Sequence, residues 1–441
     1  MIAKLSSYLR NNSGFTKYLK NTSWLMSEKV IRLLIALSIG VWVTRYLGPD
    51  QYGILSYAQS FVAIFGAFSS LGLNDIIIRE LVKSDEKENV ILGSSFVLQT
   101  LGSTLIIVMI MISIMLNNNE PITNEIIVIL GLLTFVKSFD VIGSYFHSKV
   151  RSKFMAITGL VGLLISSGMK IFLILNEFSL IYFVYVLAFD VVFLAFGKLW
   201  YYRKFGKSLL NWRFSWSISK SLLNDSWPLI LSSIVISVYM RVDQVMIKEF
   251  LENSDVGQYS AAVRLSEAWY FIPTIICSSL FPAIINAKMR SDELYKERFQ
   301  RLYNLMVVLG LSIILPVVFI SDWIIQVLYG SAFSESAAVL NIHIISSVFV
   351  FLGVANQKWF ISENFQAYNI ICLGFGMVAN VFLNLFLIPN YGIIGAAYAT
   401  LISQFIASVL GPLVFSKTRS SFFMMIRALF LVQVFKDKRL L

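Results

Sequence analysis

The chain has 441 residues, of which 57% are hydrophobic and 14% charged, and its mean hydropathy is +0.74. Soluble proteins of this length carry about 25% charged residues, so a soluble globular enzyme is excluded and the surplus apolar side chains face lipid. The net charge of +11 does not point to nucleic acid, because the positive residues collect in loops on one side of the expected membrane spans.

A hydrocarbon core of ~30 Å requires ~20 apolar residues per helix. In chain order, residues 1–20 place Lys4, Arg10, Lys17 and Lys20 around a partly apolar pattern, which reads as an amphipathic interfacial helix and not as a cleavable signal. Twelve spans are expected, at 24–46, 52–73, 90–116, 123–145, 154–175, 179–201, 227–247, 258–285, 302–320, 337–357, 366–388 and 391–415. The first carries Lys29 and Arg32, three apart on one helical face, with Glu28 four residues before Arg32. Pro49 and Gly53 suit a tight hairpin between the first two spans, and Gly48 is free to take a positive φ.

Lys137 and Asp140, three apart in the fourth span, are expected to pair. Lys170, near the outer end of the fifth, is expected to reach the interface. Asp190, in the sixth, has no basic neighbour within a turn; it is either a titrating carboxylate or the partner of a base on another helix. Residues 203–223, apolar and basic, read as an interfacial amphipathic helix that links two halves of the chain. Arg241 and Asp243, two apart, point to different faces of the seventh span. Arg264 and Glu267 share a face of the eighth, either as an internal ion pair or as a cation with a titrating carboxylate beside it. A second interfacial helix is expected at 421–435. Cys277 and Cys372 lie in apolar runs, and His147 and His343 have no ligand partner nearby, so no disulfide, metal or cofactor is expected. No Gly-rich phosphate loop with Lys and Ser or Thr is present, which argues against ATP hydrolysis.

With the N-terminus inside, alternate loops hold nearly all the lysines and arginines, and the opposite loops hold only Arg45 and Lys248. The positive-inside rule then puts both termini in the cytoplasm. The chain also repeats itself. Asn21-Thr-Ser-Trp24 opens the first span and Asn224-Asp-Ser-Trp227 the seventh; Gly53-Ile-Leu-Ser-Tyr-Ala58 is matched by Gly257-Gln-Tyr-Ser-Ala-Ala262, at offsets of 203 and 204. Each half has an even number of spans, so the repeats are parallel, related by an axis along the membrane normal. The expected fold is therefore an all-α membrane protein of about 12 transmembrane helices in two six-helix lobes around a central cavity. The N-terminal lobe is 1–220 with a cytoplasmic linker at 203–220, the C-terminal lobe is 221–415, and 416–441 is a basic amphipathic cytoplasmic tail.

The stretch from Gly40 to Gly53, GVWVTRYLGPDQYG, then Ser56-Tyr-Ala58, Ser70-Leu-Gly-Leu73, Ile78-Arg-Glu-Leu81 and the late run from Ile388 to Ala399, IPNYGIIGAAYA, resemble the Wzx-type O-antigen and polysaccharide repeat-unit flippases of bacteria. That family belongs to the exporter superfamily that includes multidrug antiporters and the lipid II flippase. The resemblance implies a MATE-like fold in the bacterial inner membrane. The implied substrate is an undecaprenyl-pyrophosphate-linked oligosaccharide moved from the cytoplasmic to the periplasmic leaflet. Partners so implied are membrane lipid, the polysaccharide polymerase and the chain-length regulator of the same pathway, with no nucleic acid. The resemblance supplies no catalytic motif, and the chain is not expected to be an enzyme. A pyrophosphate needs compensating positive charge in hydrocarbon. Lys29, Arg32, Lys137, Arg241 and Arg264 are the candidate bases of a cationic lumen, and Asp190, Asp243 and Glu267 the candidates for ion or proton coupling. The rival on the same fold is a cation-coupled drug antiporter, which would favour an acidic, aromatic lumen. A polymerase or glycosyltransferase would need convergent acids in a sizeable loop, and the largest loop, 203–223, has none.

Overall fold

The computed structural model describes residues 13–117 and 119–431, with side chains described from Ile31 onward, Asp85 excepted. Part of the first expected interfacial helix, the Lys29 side chain and the last residues of the tail therefore lie outside the described residues. The described chain is helical throughout: α1 Ser13–Ser70, α2 Leu73–Lys83, α3 Glu88–Leu116, α4 Pro121–Lys137, α5 Asp140–Ser148, α6 Lys153–Leu175, α7 Leu180–Lys204, α8 Trp216–Phe250, α9 Asn253–Glu267, α10 Phe271–Lys288, α11 Asp292–Leu328, α12 Ser336–Ser362, α13 Gln366–Phe405 and α14 Arg419–Leu429.

Ten stretches are long and apolar enough to cross a membrane among the described residues, and two of these, Ile31–Lys83 and Gln366–Val414, run to 53 and 49 residues. At 1.5 Å per residue each is about 75–80 Å long, more than twice a bilayer core. Each is broken at a glycine with non-helical angles: Gly48 (φ 69°, ψ 174°), followed by Pro49, and Gly392 (φ 59°, ψ −144°). Divided at those two glycines, the ten become the twelve expected.

The helices are turned inside out relative to those of a soluble protein. On α3, Leu101, Leu105, Val108 and Ile112 form an exposed stripe at helical spacing, while Ser95, Gln99, Gly102 and Ser103 are buried. Lipid tails are as apolar as leucine, so helices gain little by hiding leucine from them. They associate instead through small and hydrogen-bonding residues that allow close approach. Ser103 follows this rule, donating to Gln99 O (2.9 Å) or Thr134 O (3.0 Å).

Two compact units emerge. The first holds Phe61–Ser237 and the chain up to Tyr46; the second holds Leu47–Ser60 and the chain from Val238. In the first, α2 packs on α3 and α5 through Leu73, Ile77, Leu81, Leu92, Val141, Ile142 and Phe146. Arg79 on α2 pairs with Glu80 at 2.8 Å and with Asp225 on α8. In the second, α12 packs on α10, α11 and α13. Its buried Asn356 accepts from Ser421 on α14 (2.6 Å), and Gln300 on α11 donates to the Met424 carbonyl (2.9 Å).

Four expectations are corrected. Neither 123–145 nor 258–285 is one helix: the chain breaks at Ser138–Phe139, between α4 and α5, and again at 268–270, between α9 and α10. The region 203–223 is not a helix of its own. It is a short turn, Leu209–Asn211, and an extended run that leads into α8 at Trp216. The 421–435 segment, as far as it is described, does not lie free on the interface, because Ser421, Met424, Met425 and Ala428 are buried against the second unit.

The repeated glycines meet within the second unit. A Cβ on Gly53 would lie 1.7 Å from the Asn253 carbonyl oxygen, and one on Gly257 would lie 1.9 Å from the Pro49 carbonyl oxygen. Asn253 stands to Pro49 as Gly257 stands to Gly53, so the contact is reciprocal. Gly53→Ala and Gly257→Ala should each destabilise the protein by about 1–3 kcal/mol through overpacking. The double variant should lose less than the sum, because one displacement relieves both overlaps. Gly66→Ala, with nothing near its Cβ position, is the neutral control. Equilibrium unfolding in detergent measures all four; unchanged stability in both single variants contradicts the contact.

Candidate functional site

The second unit contains a buried carboxylate. Asp243 sits seven residues before the end of α8 and is 6% exposed. An ion at that depth is costly unless its surroundings compensate it. Here the compensation comes from neutral donors. The Tyr259 hydroxyl on α9 and Asn384 Nδ2 on α13 each donate to it at 2.6 Å, and the Thr400 hydroxyl, from the far side of the Gly392 break, donates as well. Asn384 Nδ2 also lies 3.2 Å from Asn380 Oδ1. Asn384 Oδ1 is buried with no hydrogen-bond partner among the described residues. Carboxylate oxygens and an orphan amide oxygen thus stand together. Such oxygens can hold a proton or a small monovalent cation.

The same unit holds three more intramembrane charges. Arg264 lies in the last turn of α9, where a cation favours the negative helix terminus. Its Nη1 is 3.5 Å from the Tyr52 hydroxyl. The Tyr52 and Tyr329 rings each pack on Phe333, with centroids 6.4 and 5.3 Å apart. Glu267 ends α9. Arg241 and Asp243 are not paired with each other, as their spacing predicts.

The first unit treats its charges differently. Asp190 is not a lone carboxylate: Lys170 Nζ lies 3.5 Å from it, both side chains are mostly buried, and Lys170 therefore does not reach for the interface. Asp140 pairs with Lys198 on α7 and not with Lys137. The break between α4 and α5 removes the helical register that three-residue spacing assumes, and Lys137 is left exposed at the end of α4. Arg32, half-buried on α1, has interaction partners of its own. His343 is buried with Nδ1 3.0 Å from the Ser266 hydroxyl, and no group of three His, Cys, Asp or Glu residues that could hold a metal occurs among the described residues.

Sequence reasoning finds Asp243 but misses Tyr259, Asn384 and Thr400. A signal exists: Asn380 and Asn384 lie four apart on one face of an otherwise apolar helix. Their target could not be read, because Asn384 and Thr400 are separated from Asp243 by 141 and 157 residues.

The profile of the family described as "Polysaccharide biosynthesis protein" matches residues 18–288. The "Probable low-salt glycan biosynthesis flippase Agl15" of Haloferax volcanii is 26% identical over 411 residues, 87% of this chain and 82% of the relative. The "Capsular polysaccharide biosynthesis protein CapF" of Staphylococcus aureus is 22% identical over 415 residues, 88% of this chain and 97% of the relative. Among solved structures, the lipid II flippase MurJ in an inward closed conformation aligns with a TM-score of 0.67 at 14% identity, covering 95% of this chain and 93% of its own. An inward-facing multidrug resistance MATE family transporter of the MOP superfamily aligns at 0.66 and 14%, covering 92% and 96%. At these identities the two structures establish the fold alone.

Thr400→Val removes one donor from Asp243 and should cost about 1–3 kcal/mol. Combined with Asp243→Asn in a double-mutant cycle, it should show a coupling above about 0.5 kcal/mol, measured by equilibrium unfolding in detergent. Strict additivity contradicts the cluster.

Proposed function

Because the chain belongs to the polysaccharide biosynthesis protein family, we propose that it is a flippase for a lipid-linked oligosaccharide. In this reading the substrate is an undecaprenyl-pyrophosphate-linked O-antigen or related polysaccharide repeat unit. It moves from the cytoplasmic to the periplasmic leaflet of a bacterial inner membrane by alternating access, and both termini face the cytoplasm. The names of the Haloferax and Staphylococcus relatives support a glycan cargo.

The single observation that carries transport is the Asp243 centre: a buried carboxylate in a candidate span, served by neutral donors beside an orphan amide oxygen. A structural ion pair would bring its own cation. An exchangeable proton or monovalent ion needs a carboxylate held without one. Asp243 is therefore the proposed coupling group, with Glu267 at the end of α9 as the second candidate. Arg264 and Arg241 are the proposed phosphate-attracting bases of the second unit, and Arg32 and Lys29 of the first span are proposed for the same task on their sequence positions alone. Arginine binds phosphate through two parallel hydrogen bonds, which lysine cannot reproduce. The polymerase and chain-length regulator of the pathway would take the delivered unit on the far side.

The test is complementation of a strain lacking the chain, with surface polysaccharide and the leaflet position of the lipid-linked glycan as readouts. Asp243→Asn and Arg264→Ala should each reduce surface polysaccharide at least about tenfold, equivalent to about 1.4 kcal/mol, at unchanged protein level. Arg264→Lys should fall between wild type and Arg264→Ala. The undelivered lipid-linked glycan should collect on the cytoplasmic leaflet. Wild-type polysaccharide from both single variants would overturn the assigned roles. Resistance to cationic dyes without any change in glycan would favour the drug-antiporter reading instead.

A further inference from the structure

The connection between α7 and α8 is built more firmly than a tether requires. Ser208 Oγ accepts from Leu210 N (3.2 Å) and closes the Leu209–Asn211 turn. Trp212 Nε1 donates to the Tyr202 hydroxyl (3.0 Å), Arg213 N to the Asn89 carbonyl (3.2 Å), and Ser215 N to Ser94 Oγ (3.0 Å). The backbone of Arg213 lies so close to Gly93 that a Cβ there would meet it at 2.6 Å. Upstream, Lys207 Nζ is 2.8 Å from the buried Glu88 carboxylate, which holds the Lys207 ammonium above its ordinary range.

This fixed segment turns apolar side chains outward. Leu210, at the tip of the turn, is 94% exposed. Phe214 and Trp216, with ring centroids 6.4 Å apart, are at least half exposed. A flexible loop could fold such residues back; a hydrogen-bonded turn holds them out. Bases are interleaved with them. Arg203, Lys204, Arg213 and Lys220 are exposed, Lys204 lies over the Trp200 ring at 4.8 Å, and no acid occurs between Asp190 and Asp225. The segment begins where one candidate span ends and finishes where the next begins, so its place is at the level of the lipid headgroups.

We propose that residues 204–220 form a binding site for anionic phospholipid. Leu210, Phe214 and Trp216 enter the boundary between headgroups and acyl chains, and Lys204, Arg213 and Lys220 hold the phosphodiester and its surplus negative charge. Charge complementarity selects an anionic lipid over a zwitterionic one, and the outward apolar residues select a lipid over a soluble anion. The inference does not depend on the cargo that the chain carries.

The test uses the purified full chain and native mass spectrometry with dioleoyl phosphatidylglycerol or dioleoyl phosphatidylcholine. Wild type should retain phosphatidylglycerol in preference, and the preference should shrink as ionic strength rises. Lys204→Gln/Arg213→Gln/Lys220→Gln should weaken phosphatidylglycerol binding at least about tenfold, at about fivefold per base near the surface, and erase the preference. Leu210→Gln/Phe214→Gln/Trp216→Gln should weaken both lipids alike. Thermal unfolding in phosphatidylcholine checks that each variant is folded, and the wild-type salt titration stands even where one is not. A preference insensitive to salt, or one retained by the folded charge variant, overturns the proposal. So does displacement of phosphatidylglycerol by inorganic pyrophosphate at low millimolar concentration, which would mark the bases as a site for a soluble anion.

Discussion

In a region without water, a polar group has only the partners the chain itself provides. That constraint organises this protein from backbone to site. It makes every described element helical, and it puts Ser95, Gln99 and Ser103 inside while leucines face outward. It also sorts the intramembrane charges into two kinds. Lys170 with Asp190, and Lys198 with Asp140, neutralise each other inside the first unit. Asp243 is treated in another way, with hydroxyl and amide donors taking the place of a cation. The first arrangement closes a charge with its opposite, whereas the second surrounds a carboxylate with neutral donors.

The glycine contact in the second unit connects fold to site. Tyr52 directly precedes Gly53, and Arg264 lies two turns after Gly257 on α9. Because neither glycine has a side chain, the two backbones approach to the limit of contact, and the Tyr52 hydroxyl comes within 3.5 Å of the Arg264 guanidinium. Tyr259, two residues after Gly257, is carried on the same helix to Asp243. One close approach thus places an aromatic partner beside the base and a phenol beside the acid.

Local features were legible in the sequence, and long-range ones were not. Gly48 and Pro49 announced the first hairpin, and the angles at Gly48 confirm it. The matched Gly53 and Gly257 announced the repeat, though nothing in the pattern said that they would touch. Lys137 and Asp140 misled because spacing arguments assume a continuous helix, and the chain breaks between them. Periodicity could not see that break: beyond Lys137, Ser138 and Asp140 the runs on both sides are apolar and continue the helical pattern. The segment 203–223 looked like an interfacial helix by composition. Hydrogen bonds to α3 and α7 instead hold its backbone in a turn and an extended run. The donors around Asp243 come from α9 and from both sides of the Gly392 break in α13, and no single sequence window contains them.

In the proposed function, exchange of a proton or monovalent cation at Asp243 is coupled to movement of a phosphate-bearing lipid. The most direct measurement is flipping of a fluorescent lipid-pyrophosphate-linked oligosaccharide in vesicles reconstituted with the purified chain, under an imposed proton or sodium gradient. The account predicts that one of the two gradients accelerates flipping in the wild-type protein and that its direction sets the direction of net movement. Flipping at the same rate with and without either gradient would contradict it.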